Sequence, residues 1–481
     1  MIGKNQITID AQDFIKGAST SAYISDGGFS PSTGGVNLTK SVGVLYPPPV
    51  GVDSSTNLTD SIIASCEDPT YLGKQRMFLD DTGAFYQLDG SNVLTKKVTT
   101  SSDLFTFGTT DFIPWSNTAN GTNWYATTKA GASGDIVKWN GNVTLTETWW
   151  SGAGTLNQGS LSNATAWRPL LNYETFLYVG DANKLHRVDI ALTVSNGILT
   201  LSAEETISAL AIDPSSGKML VAATTGVDFS AQRNGKSTIY MYDGYSNKAI
   251  KACSVNGTIT SMKVRGGIVY VFYGNKIGYF TGTGIQFLRK LQVSRGTGGL
   301  LVYPHHATTI ENTLYYVDNG LVWAYGEVMA GRPVFNPVLT PSGAPTCIAN
   351  IGGDTLGVAY PTNKFFTYDM STSAGTTLFL ETNTYRFPRP VYIRQVYLEY
   401  ADSTAASATT GTLIMFDETS NSTNFTAGDS ANVISNPTSS AKRTFITNDV
   451  SKKVNACYFR YSISETDNGL IRMVIYYDVA E

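Results

Sequence analysis

The chain has 481 residues, of which 42% are hydrophobic and only 15% are charged, and its formal net charge is −4. This length allows two or three domains with sizeable cores. The acidic balance disfavours a nucleic-acid-binding groove, which needs clustered Lys and Arg. With 27 Tyr, 21 Phe and 46 Gly, the composition favours strands and tight turns, so we predict an all-β protein.

The termini and the cysteines limit the possible classes further. The first residues contain no apolar segment typical of a secretion signal, and no apolar run reaches the roughly 20 residues of a membrane helix. The four cysteines lie far apart at Cys66, Cys253, Cys347 and Cys457. We expect them to be buried free thiols, because a thiolate metal site would need close pairs. No cofactor and no membrane partner are expected.

Residues 1–60 differ in composition from the rest and are predicted to form an extended arm. The stretch from Ser19 to Tyr46 is mostly Gly, Ser, Thr and Asn, and three prolines follow it. Such a segment cannot bury a core of its own. A flexible linker is one interpretation. We favour an arm that docks on its own fold or on a neighbouring subunit through four spaced apolar residues, which are Tyr23, Phe29, Val36 and Leu38.

Residues 61–382 contain seven copies of a loose repeat. Each copy has a short strand of small residues, then a hairpin whose bends carry Asp, Asn or Gly. A period of roughly 46 residues built from short strands is close to that of known propeller repeats. We therefore predict a seven-bladed β-propeller. The hairpins occupy 76–89, 124–140, 176–189, 218–244, 267–280, 313–325 and 355–369.

The leading strand of each copy is rich in small residues, as in Ser208-Ala209 and Thr260-Ser261. Small side chains suit a narrow central channel, so we expect these strands to be innermost. Val42–Tyr46 is positioned to complete the last sheet and to close the ring. Residues 383–481, which follow a proline-marked boundary, have longer strands and polar loops. They are predicted to form an antiparallel β-sandwich.

Few residues suggest chemistry. His186 lies inside a predicted strand, and His305-His306 lack a third ligand at recognised spacing, so we expect no metal site. Nucleotide-binding loops and a hydrolase nucleophile motif are absent. Paired carboxylates would be needed for sugar hydrolysis. However, the aspartates recur at the same place in the repeats, which favours turn chemistry over catalysis. These are Asp80, Asp81, Asp89, Asp189, Asp243, Asp318 and Asp369.

The seven tryptophans cluster before residue 170, apart from Trp323. The pair Trp149-Trp150 has two interpretations. Packing between sheets or against a neighbouring subunit is the first. The second is an exposed pair that stacks on sugars. We therefore retain both residues as candidates for an interaction site, while predicting no catalytic, cofactor-binding or metal-binding residue.

The layout resembles that of virion structural proteins of tailed bacteriophages. Asp26-Gly-Gly-Phe-Ser-Pro31, followed by Val36-Asn-Leu38, is similar to the openings of tail-nozzle proteins of short-tailed phages. The C-terminal strands, from Pro390–Tyr400 to Ile475–Val479, look like their β-sandwich tails. These nozzle proteins combine a polar arm, a propeller and a further β-domain.

The resemblance implies a non-enzymatic structural protein of a virion tail or neck. Such a protein would form a symmetric homo-oligomer. It would assemble with other virion proteins in the bacterial host cytoplasm. One alternative is a receptor- or glycan-binding propeller on the virion surface, with a host-surface glycan as its partner. A propeller glycan hydrolase is a further alternative.

Overall fold

The structure is a computed structural model. It describes residues 5–9, 29–30, 44–46, 48–71, 74–118, 121–129, 134–162, 168–225, 235–291, 302–329, 332–339, 343–361, 363–372, 377–400, 411–417, 422–424, 443–447, 453–464 and 469–480. In these ranges the regular structure is β-strand, apart from one-turn 3₁₀ helices at Pro69–Tyr71 and Pro304–His306. The all-β prediction is confirmed. No helix in the described ranges is long and apolar enough to cross a membrane.

The chain divides into two compact units. The ring unit comprises Val52–Gly320 and Gly343–Thr367, and the terminal unit comprises Met1–Gly51, Leu321–Ser342 and Tyr368–Glu481. The sequence-based boundaries at residues 60 and 382 describe contiguous segments. In the structure, the terminal unit instead gathers three separate segments of the chain.

Strand numbering follows the chain. The first three strands are β1 (Asn5–Ile9), β2 (Phe29–Ser30) and β3 (Gly51–Asp53). Five four-stranded antiparallel sheets follow in the ring unit, and each keeps its strands in chain order. The first two sheets contain β4 (Ile62–Asp68), β5 (Lys74–Asp80), β6 (Ala84–Leu88), β7 (Leu94–Thr99), β8 (Phe112–Asn117), β9 (Gly121–Thr127), β10 (Ile136–Trp139) and β11 (Leu145–Thr146).

The next three sheets repeat this plan. Their strands are β12 (Leu170–Tyr173), β13 (Phe176–Asp181), β14 (Lys184–Val188), β15 (Val194–Thr200), β16 (Glu205–Asp213), β17 (Lys218–Thr225), β18 (Lys236–Tyr242), β19 (Ile250–Asn256), β20 (Ile259–Arg265), β21 (Ile268–Tyr273), β22 (Lys276–Phe280) and β23 (Ile285–Lys290).

Two further four-stranded sheets have the orders β24–β25–β26–β27 and β28–β29–β30–β3. The seven hairpins found in the sequence are therefore the second and third strands of seven sheets. The remaining strands of these two sheets are β24 (Ala307–Ile310), β25 (Thr313–Asp318), β26 (Leu321–Met329), β27 (Arg332–Leu339), β28 (Cys347–Gly352), β29 (Thr355–Tyr360) and β30 (Lys364–Asp369).

The first strands of the sheets form a closed ring. Within the ring unit β4, β8, β12, β16, β20, β24 and β28 each contact the next one, and β28 contacts β4 again. Radial repetition of small sheets is the architecture of a β-propeller. Small residues in these strands allow them to approach one another, as the sequence predicted.

Apolar side chains fill the spaces between neighbouring sheets. Phe85 of β6 packs edge-on against Phe105 and Phe112, with ring centroids 5.8 Å apart in both pairs. Trp139 of β10 lies 5.1 Å from the same ring. Because side chains alternate along a strand, each sheet supplies one set of residues to each neighbour.

The hairpin aspartates form turns. The Asp89 carboxylate accepts hydrogen bonds from the backbone N–H of Ser91 at 2.8 Å and of Val93 at 2.9 Å. Asp189 does the same for Ala191 and Thr193, at 2.9 and 2.8 Å. The recurrence of aspartate in the repeat thus has the structural cause that the sequence indicated.

The ring is closed by a different N-terminal segment from the one expected, so the prediction for Val42–Tyr46 is wrong. Leu45 forms a bridge with Leu470 in the terminal unit. In the ring unit the Ser54 N–H donates to the Phe365 carbonyl at 2.8 Å, and Lys364 pairs with Asp53 at 2.7 Å. Proline lacks the N–H that a ladder needs, so the prolines at 47–49 separate the two pairing segments.

The terminal unit contains a nine-stranded sheet with the path β1–β37–β32–β36–β31–β2, while β33, β34 and β35 pair off this path. Residues 5–9, placed by the sequence in the arm, are extended and pair antiparallel with β37 from Asn5↔Tyr477 to Ile9↔Met473. The C-terminal strands are β31 (Thr377–Thr382), β32 (Tyr385–Tyr400), β33 (Gly411–Asp417), β34 (Ser422–Asn424), β35 (Arg443–Thr447), β36 (Lys453–Ser464) and β37 (Leu470–Val479).

The long strand β32 changes partner along its length. One edge pairs with β36 from Tyr385↔Cys457 to Tyr392↔Lys453 and then with β35, while the other edge pairs with β37 from Val391 onward. The described C-terminal strands therefore form one hydrogen-bonded sheet, and the sandwich prediction is not confirmed.

Gln75 of β5 connects three of the innermost strands. Its Oε1 accepts a hydrogen bond from the Thr308 hydroxyl of β24 at 2.6 Å and from the Asn350 N–H of β28 at 2.7 Å. Its Nε2 lies 3.4 Å from Ser65 Oγ of β4. One amide group thus joins sheets that are distant in sequence.

We predict that Gln75→Ala lowers the free energy of unfolding by about 2 kcal/mol, because it leaves the Asn350 N–H without its acceptor. Urea unfolding followed by tryptophan fluorescence measures the change. Gln286→Ala, on the exposed strand β23, is the matched control and should shift stability by less than about 0.5 kcal/mol. Equal stabilities of the two variants would contradict the linking role of Gln75.

Candidate functional site

A cavity with a volume of about 300 Å³ lies among the innermost strands of the ring unit. Four acidic or basic side chains line it, beside the thiol of Cys66: Glu67, Asp111, Lys263 and His305. Glu67 is on β4 and Lys263 on β20, whereas Asp111 precedes β8 and His305 belongs to the 3₁₀ turn before β24. The ring therefore brings together residues separated by up to 238 positions, counted from Glu67 to His305.

Asp111 is held in place by two backbone donors. The Phe112 N–H donates to Oδ1 at 2.9 Å, and the Leu170 N–H of β12 donates to Oδ2 at 2.8 Å. Burial raises the pKa of Asp111, against the opposing effects of the Leu170 hydrogen bond and of Lys263. The carboxyl group thus links two neighbouring sheets while it faces the cavity.

His305 presents one nitrogen without a partner. The Ser65 N–H donates to Nδ1 at 3.3 Å, so the ring hydrogen is on Nε2. Nε2 lies 3.7 Å from Asp111 Oδ1 and has no hydrogen-bond partner among the described residues. The residue is only 7% exposed. Burial, then Lys263 and His306, lower the pKa of His305 to about 3, so its imidazole is neutral near neutral pH.

Lys263 provides the cationic group of the cavity. Burial lowers its pKa, and the nearby Asp111, Cys347 and Glu67 act in the opposite direction. Burial also raises the pKa of Glu67, and Lys263 opposes that rise. The cavity therefore combines one ammonium group, two carboxyl groups and a neutral imidazole. His305 is buried, Asp111 and Lys263 are half-buried, and Glu67 remains accessible to solvent.

The cysteines near the cavity are unreactive thiols. Burial raises the pKa of Cys66 well above its usual value and that of Cys347 to about 12. A thiol with a raised pKa is a poor nucleophile and a poor metal ligand near neutral pH. Within the described ranges, no three His, Cys, Asp or Glu side chains come together as metal ligands. The cavity thus offers hydrogen bonding and charge.

Of the interaction residues predicted from the sequence, Trp149, Trp150 and Phe29 are among the described residues, and they do not line the cavity. Trp149 and Trp150 are 3% and 2% exposed, and they pack with Trp115 and Tyr125, so the exposed sugar-stacking interpretation is wrong for this pair. Phe29 contributes backbone pairing with Thr382. The other three candidates, Tyr23, Val36 and Leu38, fall outside the described residues.

Sequence reasoning missed the cavity because it concentrated on the hairpin ends. A usable signal was present in the leading strands, where charged residues interrupt runs of small ones. Glu67 follows Ala64-Ser65-Cys66, and Lys263 follows Thr260-Ser261-Met262. In strand geometry Ser65 and Glu67 share one face, as do Ser261 and Lys263. The interruptions mark the side chains that point toward the cavity.

Comparisons with known proteins give structural likeness only. No family model matches the sequence, and no curated protein matches it. The extracellular domain of a proposed hybrid two-component system from B. thetaiotaomicron is 9% identical, with 80% of this chain and 48% of that chain covered and a TM-score of 0.42. This chain thus spans about half of that structure's length.

Two other solved structures are matched by this chain over most of their own length. The Dos1 propeller is 10% identical over 70% of this chain and 97% of that chain, with a TM-score of 0.40. A chain of a mitotic checkpoint complex is 10% identical over 68% and 96%, with a TM-score of 0.43. At these identities and scores, no function carries over to this chain.

We predict that His305 makes the protein less stable in acid. Its folded-state pKa of about 3 lies below the unfolded value of about 6.5, so the unfolded state binds the proton first. The free energy of unfolding should therefore fall as the pH drops through this window. The raised pKa values of Asp111 and Glu67 change the free energy of unfolding with pH in the opposite direction. The contribution of His305 is therefore measured by comparing a His305 variant with the parent protein.

In His305→Asn the amide oxygen can accept the Ser65 N–H in place of Nδ1. Between about pH 8 and pH 5, this variant should lose about 2 kcal/mol less stability than the parent protein. Urea unfolding at both pH values measures the difference. Identical pH dependence of the two proteins would show that His305 is not buried in its neutral form.

Proposed function

We propose that this chain is a non-enzymatic structural protein of a tailed-bacteriophage virion, located in the tail or neck. It forms a symmetric homo-oligomer, and this oligomer assembles with other virion proteins in the host cytoplasm. The observation that carries the proposal is the closed ring of innermost strands, because it makes the ring unit a rigid body suited to assembly. The resemblance of the N-terminal and C-terminal segments to nozzle proteins supplies the virion context.

In this proposal each four-stranded sheet is one blade of a seven-bladed propeller, and β3 is the outer strand of the last blade. The terminal sheet is folded over itself as a sandwich. The hydroxyl groups of Tyr400 on β32 and Tyr461 on β36 lie 2.8 Å apart, although these residues are not paired across a ladder. A contact of this kind is expected when two layers face each other.

A structural role also fits the chemistry of the hairpin ends. The carboxylates of Asp89, Asp189 and Asp243 are engaged by backbone N–H groups of their own turns. Hydrogen bonds to the charged form lower the pKa of Asp243. A glycosidase acid needs a raised pKa instead. These three aspartates therefore stabilise their turns, whereas burial and the neighbouring Asp60 raise the pKa of Asp81 to about 6.

Two outer strands provide surface for contacts with other subunits. Ile250 on β19 is 67% exposed, and Phe287 on β23 is 49% exposed. β19 and β23 are each the last strand of a sheet, so one edge of each carries backbone groups that no strand in the described part of the chain pairs. Exposed apolar side chains on such edges favour association with another chain.

We predict that the double substitution Ile250→Lys and Phe287→Lys reduces the oligomer to a smaller species. The melting temperature should stay within a few degrees, because both side chains are largely exposed. Sedimentation velocity measures the assembly state. Val143→Lys, in an exposed turn, is the control and should leave assembly unchanged. Unchanged assembly of the double variant would exclude these edges as the interface.

The N-terminal strand provides a second test. Deleting residues 1–50 removes β1 from the edge of β37 but leaves Asp53 to pair with Lys364. We predict that the ring unit still folds and that assembly is lost. Native mass spectrometry should then detect a monomer.

Deletion of residues 1–4, which spares β1, is the control and should keep the oligomer. Full assembly without residues 1–50 would refute a role for the N-terminal segment. A monomeric parent protein that binds host polysaccharide would favour the alternative of a receptor-binding propeller.

A further inference from the structure

The proposed assembly function does not require the polar side chains that line the ring cavity. Asp111 from just before β8, Lys263 from β20 and His305 from the 3₁₀ turn before β24 meet there. His305 Nε2 carries a hydrogen, is more than nine-tenths buried and lacks a hydrogen-bond partner in the described part of the chain. A buried donor without an acceptor costs free energy, so such groups need an explanation.

We propose that this cavity binds a neutral, hydroxyl-rich small molecule the size of one sugar ring. Its volume of about 300 Å³ lies at the lower limit of ligand pockets, which suits a single ring.

The mixture of charges selects a neutral ligand. An anion attracted by Lys263 would also face Asp111 and Glu67. A cation attracted by these two carboxylates would face Lys263. A hydroxyl group both donates and accepts, so it can accept from Lys263 or from His305 Nε2–H and donate to Asp111. A molecule with several hydroxyl groups satisfies donors and acceptors together.

The polar groups are fixed before any ligand arrives. The Ser65 N–H determines which nitrogen of His305 is the donor, and two backbone N–H groups orient the Asp111 carboxylate. Groups that are already ordered lose little entropy on binding.

Five apolar residues also line the cavity, beside the polar Ser65, Gln75 and Asn172, and they suit the C–H face of a sugar ring. These residues are Phe112, Ile113, Pro114, Leu170 and Leu171.

The test is calorimetric titration of the full chain with D-glucose, D-galactose, D-mannose and N-acetyl-D-glucosamine as probes. Inorganic phosphate and methylammonium serve as anionic and cationic probes. We expect at least one sugar to bind below about 10 mM, and Lys263→Met to weaken it about tenfold or more through the loss of a charged hydrogen bond. Lys251→Met, on the exposed strand β19, is the matched control and should bind as the parent does.

Thermal melting verifies that each variant folds. If Lys263→Met is unfolded, His305→Phe replaces it, because it removes the Nε2 donor while keeping an aromatic ring in the site. The proposal is overturned if no sugar binds, if only phosphate or methylammonium binds, or if the folded variant binds sugar as tightly as the parent. The outcome is independent of the oligomeric state, so it tests the cavity separately from the virion role.

Discussion

The close approach of the innermost strands in the ring unit is the constraint on which the rest of that unit depends. Small residues such as Ala64, Ser208 and Ala349 allow it, because larger side chains would hold the strands apart. Polar side chains then connect the strands across the ring. Gln75 joins β24 and β28, and the Thr346 hydroxyl donates to the Ile62 carbonyl at 2.6 Å. The sheets and the apolar layers between them are arranged around this ring.

The same constraint explains why the cavity is chemically unusual. Where a leading strand carries a charged residue instead of a small one, the side chain can reach the cavity. Lys263 of β20 is placed in this way, and Asp111 lines the cavity from the position just before β8. Burial shifts the pKa of each toward its neutral form. Such a cluster destabilises the ring unless its members compensate one another or a ligand satisfies them. The ligand proposal follows from this energetic cost.

The N-terminal segment has two roles that are separated by the prolines at 47–49. Before them, residues 5–9 extend the terminal sheet along β37, and Leu45 pairs with Leu470. After them, Ser54 and Asp53 pair with Phe365 and Lys364 in the ring unit. The Lys364 ammonium lowers the pKa of Asp53 to about 2, so this contact is charged at neutral pH. In each unit, residues near the N-terminus thus pair with residues far along the chain.

The local features of this protein can be predicted from its sequence: the seven hairpins, the aspartate turns and the small-residue leading strands. These depend on side-chain alternation and on turn chemistry, which act over a few residues. The three-dimensional arrangement was needed to see which N-terminal segment closes the ring, that Trp149 and Trp150 are buried, and that Glu67, Asp111, Lys263 and His305 share one cavity. Those outcomes depend on contacts between residues that are tens to hundreds of positions apart, which no local pattern records.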